Sequence, residues 1–452
     1  MDRTLTEGPV MKSMLRFALP MILGNLLQQC YNVADTLIVG RFLGPDALAA
    51  VGSAFTLMTF LTSILLGLCM GSGTAFSIRF GQRDEKGLQE GMCASFVLIA
   101  AITALLNLLV FLGLDWLLLF LQVPAKVTGL MREYLLVIFC GIAATFLYNY
   151  FACLLRAVGE SVPPLIFLAV SAALNIGLDL WFVLGLQRGV AGAAEATVIS
   201  QYVSGIGLGL YTWFRRPGLR IKRFRLRLSR IREIAGFSLL TCVQQSVMNL
   251  GILLVQGLVN SFGTTVMAAF AAAVKIDAFA YTPAQDFGNA FSTFIAQNYG
   301  AGRQARIRAG VKGAVLASFV FCSAVSAAVW VLAKPLMMLF VSEGETAILA
   351  EGVRYLHIEG AFYCGIGCLS LLYGLYRAVG RPGMSVVLTV ISLGTRVALA
   401  YVLSAVPAFG VTGIWWAVPI GWALADAVGL AYYCLRRGAL LEGRGRLAVP
   451  AR

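Results

Sequence analysis

Apolar residues run along this chain in twelve long stretches separated by short polar interruptions. With edges uncertain by a few residues they cover 14–39, 50–78, 91–114, 133–155, 163–184, 191–214, 234–260, 266–298, 311–333, 355–376, 384–404 and 411–435. Each is close to or longer than the roughly 20 residues that a helix needs to cross a hydrocarbon core of about 30 Å. None shows the sustained apolar–polar alternation of an outer-membrane barrel strand. The pattern therefore predicts an all-α integral membrane protein of twelve transmembrane helices, with no room for a soluble domain. The first stretch is too long and too polar for a cleaved signal peptide, and no small-x-small site follows it.

Composition agrees and narrows the reading. Hydrophobic residues make up 59% of the 452 residues and charged residues 12%, against about 25% charged in a soluble domain. This excludes a disordered chain and argues strongly against a soluble enzyme. The formal net charge is +14, which in a soluble protein would suggest nucleic acid. Its placement says otherwise. The segment Arg215 to Arg232 holds nine Lys/Arg and no acid. The side of the membrane carrying this segment and both termini collects 27 Lys/Arg against six on the other side. By the positive-inside rule, that side is expected to be cytoplasmic and the membrane the inner (cytoplasmic) one. Away from their ends, the spans hold two basic and seven acidic residues. The ten cysteines are scattered. Cys364 and Cys368 are one turn apart but lack a second pair, so no metal or redox role is assigned to them.

The chain also repeats itself. Arg156-Ala-Val-Gly159 recurs as Arg377-Ala-Val-Gly380, and Gly189-Val-Ala-Gly192 as Gly410-Val-Thr-Gly413, both at an offset of 221. Phe80-Gly81 and Tyr299-Gly300, Gly44 and Gly263, and Ala49-Ala50 and Ala268-Ala269 pair at 219. Six spans per half is an even number, so both halves enter the membrane in the same sense and form a parallel repeat. The expected organisation is an N-terminal lobe over 1–214, a basic cytoplasmic linker over 215–233, and a C-terminal lobe over 234–452 with a short basic tail. Two such lobes suit alternating access around a central site.

Ionisable groups at membrane depth are costly and are functional candidates by default. Tyr31 and Asp35 lie four apart in the first span and share a helix face, as do Asn175 and Asp179 in the fifth, with Thr197 early in the sixth. If these groups converge, two neighbouring carboxylates repel and one takes up a proton; alternatively, the hard oxygens hold a small cation such as Na⁺. Both readings stand at the level of the sequence, as does plain helix–helix hydrogen bonding. Pro20, 15 residues before Asp35, removes one helical hydrogen bond and supplies either a static bend or a hinge. The second half has Lys275, Asp277, Asp286, Glu359, Arg396 and Asp426 in its spans, and the single histidine, His357, near the end of one. Gln28, Gln244, Gln245, Asn249, Asp277 and Asp286 are candidates for lining a substrate cavity, the amides equally for pairing helices.

These residues resemble a known family. Pro20-Met-Ile-Leu-Gly24 through Tyr31-Asn-Val-Ala-Asp35 to Val39-Gly-Arg-Phe-Leu-Gly44, then Arg156-Ala-Val-Gly159, Gly189-Val-Ala-Gly-Ala-Ala-Glu-Ala-Thr197 and Ile295-Ala-Gln-Asn-Tyr-Gly-Ala301 are together similar to the multidrug and toxic compound extrusion (MATE) transporters over essentially the full length. The resemblance implies two six-helix lobes, a monomer without a cofactor, and export of amphipathic organic cations and drugs in exchange for H⁺ or Na⁺. It implies a coupling site at Tyr31, Asp35, Asn175, Asp179 and Thr197 and a hinge at Pro20. One departure is that helix 7 carries only amides where some members have an acid of a C-lobe cation site. Flipping of a lipid-linked oligosaccharide is the alternative, since the superfamily contains such proteins. A pyrophosphate headgroup would need basic residues in the cavity, and only Lys275 and Arg396 lie in spans away from their ends. An enzyme is not expected, for there is no H-E-x-x-H and no nucleophile elbow.

Overall fold

A computed structural model describes residues 5–120, 125–221 and 226–442. Lys222, Arg223 and Arg225 of the basic linker and the tail after residue 442 lie outside the described residues. Fifteen α-helices follow in order: α1 (Val10–Leu43), α2 (Pro45–Gly81), α3 (Glu85–Leu112), α4 (Leu114–Phe120), α5 (Ala125–Phe139), α6 (Ile142–Ala157), α7 (Val162–Asp179), α8 (Gly189–Arg215), α9 (Leu228–Asn260), α10 (Thr264–Gly300), α11 (Gln304–Met338), α12 (Thr346–Gly360), α13 (Tyr363–Ala378), α14 (Pro382–Ser404) and α15 (Gly410–Glu442). A π-helical turn, Leu180–Gly185, continues α7. Among the described residues every regular element is helical.

Nine of these helices are long and apolar enough to cross a membrane. Two further spans are each broken into a pair. The expected 133–155 span is α5 and α6, bent by 44°, and the expected 355–376 span is α12 and α13, bent by 49°. The twelfth, α8, is long enough at 27 residues but carries Glu195, Gln201 and several Ser, Thr and Gly. The two breaks fall at Cys140-Gly141 and Ala361-Phe362, so they keep the repeat offset. At the first, the Tyr202 hydroxyl donates to the Cys140 carbonyl (2.9 Å), satisfying an acceptor that the bend releases.

The repeated Arg-Ala-Val-Gly motif is a helix stop. Gly159 (φ 94°) and Gly380 (φ 76°) adopt the left-handed conformation. The amide of the next residue then reaches back, Glu160 N to Leu155 O and Arg381 N to Tyr376 O, the wrap that a positive φ after a helix permits.

Contacts divide the chain into two compact units. One is built from Leu23–Cys242. The other combines the stretch ending at Ile22 with that beginning at Val243. The contact division thus falls inside α1 and α9, whereas the lobes expected from the repeat are counted in whole spans. In the first unit α2 packs on the start of α9, with the Ser72 and Ser238 hydroxyls bonded at 2.7 Å. At one end of that seam Arg79 pairs with Glu233 (2.8 Å) and Asp84 (3.0 Å), and Arg230 with Glu233 (2.8 Å) and Glu90 (3.2 Å). In the second unit the segment before α1 is strapped to the α10–α11 turn. Arg306 donates to the carbonyls of Leu5, Glu7 and Gly8, and Arg303 to that of Thr6.

Candidate ion-coupling site

Three helices of the first unit bring the expected polar residues together. On α1, Tyr31 and Asp35 are one turn apart and half-buried. On α7, Asn175 and Asp179 are 1% and 0% exposed, and Thr197 on α8 is 7% exposed. Asp179 stands where α7 gives way to the π-helical turn, a local irregularity of the kind found at functional positions. The Asn175 carboxamide meets all its neighbours in one orientation. Its nitrogen donates to Asp179 Oδ2 (3.0 Å), and its oxygen accepts from Thr197 N (3.3 Å) and Thr197 Oγ1 (3.2 Å). Tyr31 lies beside Thr197. The carboxyl groups of Asp35 and Asp179 are hydrogen-bonded to each other.

That last contact defines the chemistry. A carboxylate only accepts, so two carboxyls bonded to each other share a proton. Oδ1 of Asp35 and Oδ1 of Asp179 have no partner among the described residues. Without the proton, two like charges would face each other in a poorly solvated place, and a small cation would relieve them equally well. The arrangement can therefore bind either H⁺ or Na⁺.

One member was absent from the sequence reading. Tyr134 on α5, 7% exposed, lies within electrostatic range of Tyr31, Asp35 and Asp179. Its signal lay in the repeat, since Tyr134-Leu135 recurs as Tyr355-Leu356 at the same offset of 221.

The remaining candidates are placed elsewhere. Pro20 lies inside α1, in the stretch grouped with the second unit. Gln28 is exposed, Gln244 buried, and Gln245 and Asn249 are half-buried; the Asn249 amide donates within its own helix, to the Gln245 carbonyl (3.0 Å). Asp286 is 3% exposed. Asp277, 2% exposed, belongs to a separate buried group. Tyr355 donates to its Oδ2 at 2.9 Å and Tyr363 to its Oδ1, and Glu359 comes within hydrogen-bonding reach of it. His357 is engaged with Trp330, stacking on the ring and bonding the carbonyl at 3.0 Å. Among the described residues no three His, Cys, Asp or Glu side chains are grouped to hold a metal ion.

The sequence profile described as MatE matches twice, over residues 20–181 and 241–402. The chain belongs to the MatE family. The two matches begin 221 residues apart, one per half of the repeat. The chain is 31% identical to the "Probable multidrug resistance protein YpnP" of Bacillus subtilis, over 86% of each chain. It is 24% identical to the "FAD transporter" of Shewanella oneidensis, over 95% of each. Among solved structures, a MOP superfamily transporter from Pyrococcus furiosus superposes with a TM-score of 0.91 at 24% identity, covering 97% of this chain and 98% of the other. A MATE fold of two six-helix repeats is thus established for this membrane protein.

Proposed function

We propose that this protein is a secondary antiporter of the cytoplasmic membrane, with both termini inside. It exports amphipathic organic compounds, organic cations and drugs among them, in exchange for H⁺ or Na⁺, and works as a monomer without a cofactor or catalytic step. The lobes 1–214 and 234–452, joined by the basic linker 215–233, alternate access between the two sides. The observation that carries this reading is the hydrogen-bonded pair of Asp35 and Asp179, braced by Asn175 and Thr197. An ion from outside neutralises the pair, α1 repacks with Pro20 as its hinge, and substrate is released. An ion shifts such an equilibrium only through its differential affinity for the two states, and a carboxyl pair on two different helices provides one. Gln28, Gln244, Gln245 and Asn249, with Asp286, are the polar positions from which a substrate cavity would be built; Asp277 is engaged by Tyr355 and Tyr363 instead. The names of the relatives, a probable multidrug resistance protein and a transporter of FAD, support a small-molecule cargo.

The test is reconstitution into liposomes with efflux of a fluorescent organic cation followed under an imposed pH gradient or an imposed Na⁺ gradient. The wild type is expected to respond to one of the two. Asp35→Asn is expected to respond to neither while remaining folded and inserted. Gradient-driven efflux retained in that variant would sink the assignment.

A further inference from the structure

The second half of the chain has its own buried charges, and the repeat says what they replace. Carried forward by 221 residues, Asn175 becomes Arg396, Asp179 becomes Ala400, Thr197 becomes Val418, and Tyr134 remains a tyrosine as Tyr355. The helix break beside that tyrosine stays in register as well, between α5 and α6 in one half and α12 and α13 in the other. A guanidinium therefore enters the C-terminal half where a neutral carboxamide braces Asp179 in the N-terminal half. The acids come from new places, Asp277 on α10 and Glu359 on α12, both buried.

The hydrogen bonds set the charge states. Tyr355 and Tyr363 each donate to a different oxygen of Asp277. Asp277 is thus an acceptor on both sides, which is the role of the ionised form. Glu359 comes within hydrogen-bonding reach of the same carboxylate and of the Tyr355 hydroxyl, and beside an ionised Asp277 it is the acid that carries a proton. Arg396 on α14 lies within electrostatic range of Asp277, Glu359, Tyr281 and Tyr355. Lys275, the cation of α10, is exposed and turned toward the Phe340 ring. The group then holds one carboxylate, one guanidinium and one neutral acid, for a net charge of zero. A guanidinium keeps its proton at any pH the protein meets.

We propose that Arg396 is a built-in cation. It fills permanently, in the C-terminal half, the place that the exchangeable H⁺ or Na⁺ takes beside Asp35 and Asp179. The Asp277–Glu359 group accordingly binds no coupling ion, and the ion is taken at the Asp35–Asp179 pair. This rests on the reading of the Asp35–Asp179 pair as the coupling site. An unpaired carboxylate at membrane depth is costly, so each half must be neutralised. One half does it reversibly and the other covalently, and only the first then responds to an ion gradient.

Infrared difference spectroscopy on the full-length protein in lipid tests this, by reading the carboxyl band as pH is stepped across neutrality or Na⁺ is exchanged. The wild-type difference band is expected to vanish in Asp35→Asn and to be unchanged in Asp277→Asn and Glu359→Gln. Arg396→Asn, which restores the residue of the other half, is expected to gain a second band that Asp277→Asn removes, and Arg396→Lys to keep the wild-type spectrum. A wild-type band lost in Asp277→Asn or Glu359→Gln would overturn the proposal, as would a folded Arg396→Asn with no new band. Should Arg396→Asn fail to fold, the Asp277→Asn and Glu359→Gln comparison alone decides. Efflux retained in Asp35→Asn would overturn the coupling-site reading instead, and leaves the spectra of the C-terminal half as an independent result.

Discussion

Asp179→Asn is expected to abolish gradient-driven accumulation while leaving a folded protein. The carboxyl is fully buried, so a replacement must keep its volume, and an amide does. An amide oxygen can still accept from Asn175, which bonds Asp179 Oδ2 at 3.0 Å. What is lost is ionisation. With no second charge to repel it, the half-buried Asp35 carboxylate has far less need of an ion, and the two conformations lose most of their difference in ion affinity. In one-for-one exchange no net charge moves, so the ion gradient alone drives transport: a tenfold gradient is worth about 1.4 kcal/mol and sustains a substrate ratio of about ten. Steady-state substrate ratios in vesicles should fall from that order to about one. Asp179→Ala is a poorer test, since a cavity at a fully buried site would destabilise the fold and confuse the two effects. A folded Asp179→Asn that still accumulates substrate against its gradient would show that the pair does not carry the coupling.

Why some of this was legible in the sequence and some not follows from the range of each signal. Apolar stretches of about 20 residues report membrane spans directly, and the twelve stretches find their helices. A bend leaves hydropathy unchanged, so the breaks at Cys140-Gly141 and Ala361-Phe362 gave no sign. The helices containing them also begin earlier than expected, at Ala125 and Thr346, because polar turns around Arg132 and Arg354 ended the apolar run. The pairs Tyr31 with Asp35 and Asn175 with Asp179 were visible since four-residue spacing puts side chains on one face, and acids in a span stand out. Tyr134 did not stand out, because a tyrosine in an apolar helix is ordinarily a packing residue. Nor did the partners of Asp277. Along α10 its neighbours show only that Lys275 faces elsewhere, while Glu359 and Arg396 arrive from α12 and α14, 82 and 119 positions on. The passage of α1 and α9 between units is likewise a property of contacts. Yet it occurs after Ile22 and after Cys242, 220 positions apart, so the repeat extends to it.

Adding a single methyl group to α2, in Gly71→Ala, is expected to cost as much stability as removing a large core side chain. A Cβ there would lie 2.4 Å from the Phe237 carbonyl oxygen and 2.6 Å from the Ser238 Cα. One turn earlier, a Cβ on Gly67 would meet the Cys242 Cα at 2.6 Å. Carbon atoms rest about 3.5–4.0 Å apart, and these neighbours are backbone, which has no rotamer with which to yield. The two glycines form a small-x-x-x-small pair of the kind that lets membrane helices approach closely, and the Ser72–Ser238 bond at 2.7 Å forms only at that separation. Overpacking a core costs about 1–3 kcal/mol where side chains can move; against fixed backbone we expect about 3 kcal/mol or more, a large part of a marginal stability. Gly236→Ala supplies the opposite sign. It lies on α9 with nothing within 4 Å of its would-be Cβ, so the gain in helix propensity, about 0.5–1 kcal/mol, should prevail. Thermal denaturation in detergent, read by the monodisperse fraction surviving each temperature, separates the two. If Gly71→Ala melted with the wild type, α2 and α9 would have to sit farther apart than these contacts place them, and the serine bond would have to be open.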